Sequence, residues 1–431
     1  MSASIILTSG TRGDVQPLLA LAGGMRQAGC AVRVVTQAGF GALVEERGLA
    51  FSALSATPSE LLGAPGYERA LLLGGQPVRG VWHTARFMRH AGPLFERMLH
   101  SAWQHSRTAS SLVLTLPTAS WGLSIAEALE VPAALALLQP AGATGLFPSP
   151  LAPFSRSLGS ALNRLSHAIV ERSLWLPWRA AINRWRVGQL GLAPLPPAGP
   201  FTVLGRHVPV VYGISPHVVP PPPDWPDWRV VAGYWFLDRP PGWQAPTQLE
   251  RFLERGPAPV YVGFGSMGLS DAGRAAAIVH ALRLAGCRGV LALDPPPAAD
   301  LLGDDMFVIG PTWHDWLFER VALVVHHGGA GTTAAALRAG VPSVIAPVGV
   351  DQFFWAARIA LLGCGVDAGS LRTLTTERLA HALHQAAAPR MRAQARALRA
   401  LIAGEHGLHH ALHALEAVMQ AQLPKSISRQ A

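Results

Sequence analysis

Short apolar runs alternate with longer segments of helical spacing along the chain. The first unit holds an apolar run from Ser4 to Ser9, a turn "GTRGDVQ", a helical segment from Pro17 to Gly29 and a second apolar run, "AVRVVTQ". Pro17 suits the start of a helix and Gly29 its end. Strand, helix and strand in this order predict a parallel sheet with crossover helices.

The same order returns in the second half of the chain, where "APVYVGFGS", "DAGRAAAIVHALRLAG" and "CRGVLALD" follow one another. Both halves pass from a helix through Ala-Gly-Cys into a strand, which predicts two similar α/β domains in tandem. The alternative is that β-α-β units resemble each other wherever they occur. Residues 103–140 add a further strand, turn, helix and strand.

The stretch between the halves, residues 215–246, is rich in proline and tryptophan. Proline fixes φ and interrupts ladders, so we expect an ordered linker without helix or strand. The predicted division is an N-terminal domain over 1–215, a linker over 216–245, a C-terminal domain over 246–400, and a helix and tail over 401–431. Ligands of such sheets bind at the carboxyl ends of the strands, which places the site in the interdomain cleft.

Composition narrows the classes of function. Half of the 431 residues are apolar and 14% are charged, which favours folded domains over disorder. A net charge of +9 favours anionic partners such as nucleotides, phosphates or acidic lipids. The chain contains no block of like charges, which argues against nucleic-acid binding. The three cysteines are far apart and lack CxxC spacing, which argues against disulfides and structural zinc.

The first residues contain no basic segment followed by a long apolar run, so we expect no signal peptide. No apolar run reaches the roughly 18 residues of a spanning helix. We therefore expect a cytoplasmic protein, soluble or peripherally bound to a membrane. Residues 80–103 mix aromatic, Met and basic side chains; they could line an apolar pocket or touch an anionic membrane, although a plain amphipathic core helix is the favoured interpretation. Residues 141–200 look like an insertion at the domain rim, where an acceptor pocket could form.

The stretch "VALVVHHGGAGTTAAALRAG" joins a buried strand to a helix through a glycine-rich turn. Unpaired N–H groups and partial positive charge at the first turn of a helix bind phosphate, and Thr332 or Thr333 is the predicted N-cap. Farther on, Asp351 and Gln352 follow the strand "PSVIAPV" and should project into the same cleft, where they could bind sugar hydroxyls. The alternatives are a tight turn without a ligand and an Asp351 that only caps its helix.

Together these segments resemble a known family. "HHGGAGTTAAALRAGVPSVIAPVGVDQ" is similar to the donor-site signature of nucleotide-sugar glycosyltransferases with the GT-B fold, closest to the sterol, glycolipid and antibiotic glucosyltransferases. "GTRGDVQPLLALAGGMRQAG" resembles the start of that group, "SPHVVPPPPDWPDWRVVAGYWFLD" its linker and "PTWHDWLF" its uracil-side loop. The resemblance implies an α/β fold of two Rossmann-like domains whose parallel sheets face each other across a cleft.

The resemblance also implies roles for residues. The donor diphosphate would bind at the glycine-rich turn, where position favours His326 over His327; the full set is His326, His327, Gly328, Gly329, Ala330, Gly331, Thr332 and Thr333. Asp351 and Gln352 match the pair that holds the sugar hydroxyls. Ser266 matches a residue near the phosphates, and His314 stands at the position of a base-contacting residue, although "GPTWH" departs from the commoner pattern there.

Asp14 in "GTRGD" matches the aspartate that the group uses as general base, and Arg12 could orient it or meet phosphate. The alternative is that Asp14 caps the helix. No DxD triplet is present, and a helix N-terminus could stabilise the leaving nucleotide, so we expect no metal and no cofactor beyond the nucleotide-sugar co-substrate.

The sequence thus predicts an inverting transfer of a hexose, glucose from UDP-glucose, to a hydroxyl of an apolar acceptor such as a sterol or another lipid. A dTDP-sugar transferase acting on a polyketide or macrolide is an alternative, as is a rhamnosyltransferase acting on a lipid. Two further classes remain. Gly263, Gly265 and Gly268 have GxGxxG spacing with Asp294 downstream, the outline of an NAD-dependent dehydrogenase, and a catalytically silent sugar-nucleotide binding protein would share the same turn.

Overall fold

The computed structural model describes residues 3–56, 60, 77–202, 204, 208–265 and 272–420. Each half of the chain forms an open sheet in which every strand runs parallel to its neighbours. The strands of the first sheet are β1 (Ala3–Leu7), β2 (Val32–Gln37), β3 (Ala50–Leu54), β4 (Ala109–Leu114), β5 (Ala133–Leu137), β6 (Val210–Tyr212) and β7 (Arg229–Val231). Those of the second are β8 (Val260–Gly263), β9 (Gly289–Ala292), β10 (Met306–Val308), β11 (Leu323–His326), β12 (Ser343–Ile345) and β13 (Gly365–Asp367).

The strand orders are β3-β2-β1-β4-β5-β6-β7 and β10-β9-β8-β11-β12-β13. Helices cover the sheets, as expected for buried parallel strands. They are α1 (Arg12–Gln27), α2 (Gly41–Glu45), α3 (Pro77–Ser106), α4 (Leu116–Leu129), α5 (Ser160–Trp175), α6 (Arg179–Trp185), α7 (Thr247–Glu254), α8 (Ala272–Leu284), α9 (His314–Leu317), α10 (Ala330–Ala339), α11 (Gln352–Leu361), α12 (Thr376–Ala386), α13 (Pro389–Ala403) and α14 (Gly407–Gln420). The expected architecture of two Rossmann-like domains is confirmed.

The register of the strands places the residues that form the candidate site at the carboxyl edge of each sheet. Leu7 at the end of β1 pairs with Val35 of β2 and Leu114 of β4. In the second sheet, His326 at the end of β11 lies between Gly263 and Ile345. Since the carboxyl ends of parallel strands share one edge, the turns after these strands collect in one place.

The first helix starts earlier than predicted. It begins at Arg12, and Pro17 lies inside it as the sixth residue. Thr11, the N-cap, donates its backbone N–H to Asp14 Oδ2 over 2.7 Å, which stabilises the start of the helix before the proline. As the sixth helical residue, Pro17 has no N–H to donate to the preceding turn, so one intrahelical hydrogen bond is missing there.

The linker is more regular than expected, because β7 lies within it. This strand pairs with β6 and forms the edge of the first sheet, where neighbouring prolines are tolerated. Downstream, α14 returns to the first domain, where Leu408 and Leu412 pack so closely against α1 that a Cβ at Gly24 would lie 3.2 Å and 3.0 Å from their side chains. The C-terminal helix therefore connects the two domains a second time.

Two further segments, the insertion after β5 and helix α3, can be compared with what the sequence indicated. The insertion after β5 contains α5 and α6, whereas the sequence indicated little regularity there. In α3, Phe95, Met98 and Leu99 are buried, and the Phe95 ring lies 4.3 Å from that of Trp178. This part of α3 is the amphipathic core helix that the sequence analysis favoured. No helix among the described residues is long and apolar enough to cross a membrane.

Candidate active site

The first turns of two helices, one from each domain, meet in the cleft. Gly13 is the second residue of α1 and Gly331 the second residue of α10. A methyl group at Gly331 would lie 3.2 Å from the Cα of Gly13, so the two backbones are in contact. Both helix N-termini carry partial positive charge, and their approach creates a place where an anion would be stabilised from both sides.

The glycine-rich turn has a backbone conformation that requires glycine at Gly328. Gly328 has φ +93°, and a Cβ there would lie 2.8 Å from the side chain of Ile345. Helix α10 begins at Ala330 with Gly329 as N-cap, so the expected threonine N-cap is wrong. Thr333 instead donates its hydroxyl to the carbonyl of Gly329 over 2.9 Å, and Thr332 stands as the third helical residue, half-buried. The backbone N–H groups of the first turn therefore carry no side-chain cap.

Two histidines line this turn, of which His326 is buried and His327 half-buried. His326 is fully buried and its Nδ1 accepts a hydrogen bond from Gly328 N over 3.1 Å, so the proton of the neutral ring lies on Nε2. Burial lowers the pKa of His326 well below its ordinary value, and burial lowers that of His327 to about 4. Within the described part of the chain, His326 Nε2 and His327 Nδ1 have no hydrogen-bond partner. A buried polar atom of this kind costs free energy unless a ligand meets it.

His314 and Arg12 form the neighbouring part of the site. His314 begins α9, stacks on Phe318 at 4.3 Å between ring centroids, and lies 3.4 Å from the hydroxyl of Tyr261. Burial, followed by the charge of Arg12, lowers the pKa of His314 to about 4. The guanidinium of Arg12 lies 5.2 Å from the ring centre of Trp313, so a cation of the first domain faces the loop of the second. A neutral imidazole beside aromatic rings suits contact with a planar base.

Asp351 ends the turn after β12 and is the N-cap of α11, yet its carboxylate makes no capping hydrogen bond. Its Oδ2 accepts a hydrogen bond from Trp355 Nε1 over 3.0 Å. Burial raises the pKa of Asp351 to about 6, and the negative charge of Asp14 raises it as well. The two carboxylates therefore interact across the cleft. The preceding Val350 has φ +54°, a strained conformation for a β-branched residue and one that clusters at functional sites.

Gln139 is a site residue that the sequence analysis missed. It lies two residues beyond the end of β5 in the first domain, and its side-chain amide is near enough to Asp351 of the second to lower the pKa of that carboxylate against the effect of burial. The only sequence signal was its position just after a predicted strand of the first domain, the same kind of position that directed attention to Asp14.

Gln352 has a structural contact in addition to its expected role. Its side chain is buried, and Oε1 accepts hydrogen bonds from Val348 N over 2.8 Å and from Gly349 N over 3.2 Å. These bonds hold the turn that presents Asp351. Ser266 and Gly268, which the sequence analysis also named, lie outside the described residues. The residues that are described contain no group of three or more His, Cys, Asp or Glu side chains arranged to hold a metal ion.

Asp14 lies in the first turn of α1. Its Oδ2 accepts hydrogen bonds from the backbone N–H of Thr11 over 2.7 Å and from the Thr11 hydroxyl over 2.9 Å. Gly10, with φ +149°, makes room for it, because a Cβ there would lie 2.4 Å from Oδ2. Burial raises the pKa of Asp14 despite both hydrogen bonds. Asp14 thus caps the helix, as the alternative held, and also faces the charge of Asp351.

Both halves of the chain match known domains. Residues 4–148 match the glycosyltransferase family 28 N-terminal domain, and residues 312–407 match the C-terminal domain of proteins like erythromycin biosynthesis protein CIII. A sterol 3-beta-glucosyltransferase of Aspergillus oryzae is 34% identical over 447 residues, which cover 98% of this chain and 30% of the relative. The chain therefore spans about a third of the length of that relative.

Solved structures share the whole fold at low identity. The glycosyltransferase of kitacinnamycin superimposes with a TM-score of 0.68 at 19% identity, covering 98% of this chain and all of the other. The glycosyltransferase SsfS6 of Streptomyces sp. SF2575, solved with thymidine diphosphate, has a TM-score of 0.60 at 18% identity and covers 97% of this chain and all of its own. At these identities the likeness establishes the fold of both domains together.

Proposed function

The chain belongs through both of its domains to the glycosyltransferases with the GT-B fold, and we propose that it transfers glucose from UDP-glucose to a hydroxyl group of a sterol or another lipid, with inversion at the anomeric carbon. Sterol 3-beta-glucosyltransferases that match nearly the full length of this chain support this acceptor class. The observation that carries the proposal is the convergence of two helix N-termini beside a half-buried carboxylate, Asp14, in one cleft.

The cleft would bind the donor diphosphate at the first turn of α10. The N–H groups of this turn carry no side-chain cap, and a phosphate oxygen could meet His326 Nε2 or His327 Nδ1, which lack partners among the described residues. Arg12 would add a positive charge from the other domain. These donors would stabilise the negative charge that develops on the leaving nucleotide as the glycosidic bond breaks.

Asp14 is the proposed general base. Its carboxylate would accept the proton of the acceptor hydroxyl while the oxygen attacks the anomeric carbon from the side opposite the leaving group. Burial raises the pKa of Asp14 and so makes it a stronger base than an exposed aspartate. The Thr11 hydrogen bonds fix the orientation of this carboxylate, which general-base catalysis requires.

Asp351 and Gln139 would hold the transferred sugar. A carboxylate and an amide can accept and donate hydrogen bonds to neighbouring hydroxyls, and the Gln139 amide influences the pKa of Asp351 from the other domain. Gln352 would contribute by fixing the turn at Val348 and Gly349. We also propose that no metal or cofactor is needed and that the enzyme is cytoplasmic with peripheral membrane contact.

A dTDP-sugar donor with a polyketide or macrolide acceptor is the second candidate. It is favoured by the match of residues 312–407 to the erythromycin biosynthesis domain and by the likeness to a structure that holds thymidine diphosphate. A rhamnosyl transfer to a lipid belongs to the same group of alternatives. All of them use the same turn, so the nucleotide and the sugar must be distinguished by experiment.

The test is transfer of radiolabelled glucose from UDP-glucose to a sterol, run beside dTDP-glucose with the same acceptor. The proposal expects product with UDP-glucose at a kcat/KM at least about tenfold above that with dTDP-glucose, and thermal stabilisation by UDP but not by NAD. Transfer from dTDP-glucose alone, to a macrolide and not to a sterol, would select the second candidate. Stabilisation by NAD alone would contradict both.

A further inference from the structure

The exposed apolar side chains of this protein are concentrated in one segment. Of the thirteen large hydrophobic residues that are exposed in the described part of the chain, nine fall between Leu146 and Val187. Helix α5 carries the centre of this group. Leu162, Leu165 and Ile169, which we call the α5 stripe, are 51% to 55% exposed and lie on one helical face at i, i+3 and i+7. Leu158 before the helix and Leu176 after it are also exposed.

The buried face of α5 is mainly polar, which differs from the usual arrangement. Asn163 donates to the carbonyl of Gly145 over 2.9 Å, and Ser166 Oγ accepts a hydrogen bond from Ser149 N over 2.8 Å. His167 has its two ring nitrogens 3.3 Å and 3.2 Å from the carbonyl oxygens of Ala141 and Phe147. These bonds fix the helix so that its leucines face outward. A contiguous apolar surface of this kind indicates a binding partner.

The surrounding charges select the chemistry of that partner. Residues 151–190 contain six arginines and one acidic residue, Glu171. Three of these arginines, Arg164, Arg184 and Arg186, pair with acidic residues outside the segment. Arg156 and Arg172 are exposed. Apolar side chains rimmed by arginines fit a bilayer with anionic headgroups, because the leucines enter the acyl boundary while the guanidinium groups remain at the phosphate level.

The stripe is also close to the active-site cleft. Phe147, whose carbonyl meets His167 of α5, lies 5.5 Å from Phe354 of α11 between ring centroids. Phe354 is three residues beyond Asp351 in the chain. The insertion therefore has one side at the sugar site and the other side in solvent, separated by the width of about one helix, roughly 10 Å.

We infer that α5 is the surface by which this enzyme docks on an anionic lipid bilayer, with the α5 stripe inserted and the flanking arginines on the headgroups. The inference rests on the proposed function only in that a lipid acceptor would then enter the cleft from the membrane. A bilayer is favoured over a second copy of the chain because a second copy would bring the same arginines against each other.

The test is sedimentation of the full chain with vesicles, in the absence of donor and acceptor. Wild type should bind vesicles of equal parts phosphatidylcholine and phosphatidylglycerol at least about tenfold more tightly than phosphatidylcholine alone. Leu162→Gln/Leu165→Gln/Ile169→Gln should weaken binding at least about a hundredfold, because three insertions are lost. Arg156→Gln/Arg172→Gln should weaken binding to anionic vesicles only, by about fivefold for each arginine.

The matched control is Leu284→Gln/Leu361→Gln/Leu401→Gln, which changes three leucines that are equally or more exposed on the second half of the chain. It should bind vesicles like wild type. Equal weakening by the control, or no binding of wild type to anionic vesicles, would overturn the inference. A wild-type dimer that the stripe variant converts to monomer with vesicle binding unchanged would overturn it in favour of a second copy. Because the sedimentation contains neither donor nor acceptor, its result can be interpreted even if the proposed glucosyl transfer fails.

Discussion

Gly331 of α10 and Gly13 of α1 touch backbone to backbone across the cleft, and the contact is asymmetric. A Cβ at Gly331 would lie 3.2 Å from Gly13 Cα and 3.4 Å from its carbonyl oxygen. A Cβ at Gly13 would meet nothing nearer than the Thr11 hydroxyl at 3.7 Å and Gly331 N at 4.0 Å. One glycine is therefore required for this approach of the domains, and the other has ordinary space around it.

The first prediction follows from this asymmetry. Gly331→Ala should lower kcat/KM at least about tenfold, because the methyl group forces the two helix ends apart and displaces the donor from the base. Its melting temperature should not fall, since alanine is favoured over glycine in a helix by about 1 kcal/mol.

Gly13→Ala is the matched control, with the same helical gain and an unobstructed Cβ. It should retain activity within about twofold of wild type. Equal loss of activity in both variants would show that flexibility of the helix ends, and not their contact, matters.

Gln139→Ala should raise the KM for the nucleotide sugar by about ten- to a hundredfold, the effect of one hydrogen bond to a charged group. Trp355→Phe removes the indole N–H that donates to Asp351 but leaves Gln139 in place. Steady-state kinetics of the two variants should separate them, with the larger change in Gln139→Ala. A larger change in Trp355→Phe would mean that Gln139 does not position the sugar site.

Stability should depend on the ionisation of Asp351. Its pKa is raised in the folded protein from 3.8 to about 6, so its contribution to stability is complete below about pH 4 and is lost as the pH rises through 6. Asp351→Asn does not lose stability in this way, because asparagine does not ionise. Relative to wild type, its free energy of unfolding should therefore increase by about 2 to 3 kcal/mol between pH 4 and pH 7.

Urea denaturation of wild type and Asp351→Asn at both pH values measures this difference. A gap between the two proteins that stays constant with pH would contradict a raised pKa. Addition of Asp14→Asn to wild type should lower the pKa of Asp351, because the neighbouring negative charge also raises it.

Removal of metals should leave the enzyme active. Helix N-termini, neutral histidines and Arg12 are the groups that we propose to stabilise the leaving diphosphate, and none of them depends on a cation. Transfer after dialysis against excess chelator should stay within about twofold of the untreated enzyme. Loss of activity that manganese restores would defeat this part of the proposal.

The sequence was most informative where the signal is local. Apolar runs predicted both parallel sheets, and Gly328, Gly329 and Gly331 marked the strand-to-helix turn because few other residues accept its geometry. Pro17 led to a wrong start for the first helix, because a proline is typical of a first helical turn. The capping pair of Thr11 and Asp14 begins the helix earlier, at Arg12.

Contacts between segments far apart in the chain could not be predicted from the sequence. Gln139 belongs to no motif and meets Asp351 only because two domains close on each other. The orientation of α5 was also hidden, because periodicity predicts an amphipathic helix but assigns the apolar face to the core. Here hydrogen bonds of Asn163, Ser166 and His167 bury the polar face instead.

The central claim is that Asp14 is the general base of a glycosyl transfer, and Asp14→Asn tests it most directly. Asparagine can still accept the Thr11 hydrogen bonds that begin α1, so the fold and the donor site should persist. Transfer from UDP-glucose should be at least about a hundredfold slower than in wild type, with the dissociation constant for UDP changed less than about threefold. Turnover near that of wild type with UDP bound normally would remove Asp14 from the chemistry and contradict the account.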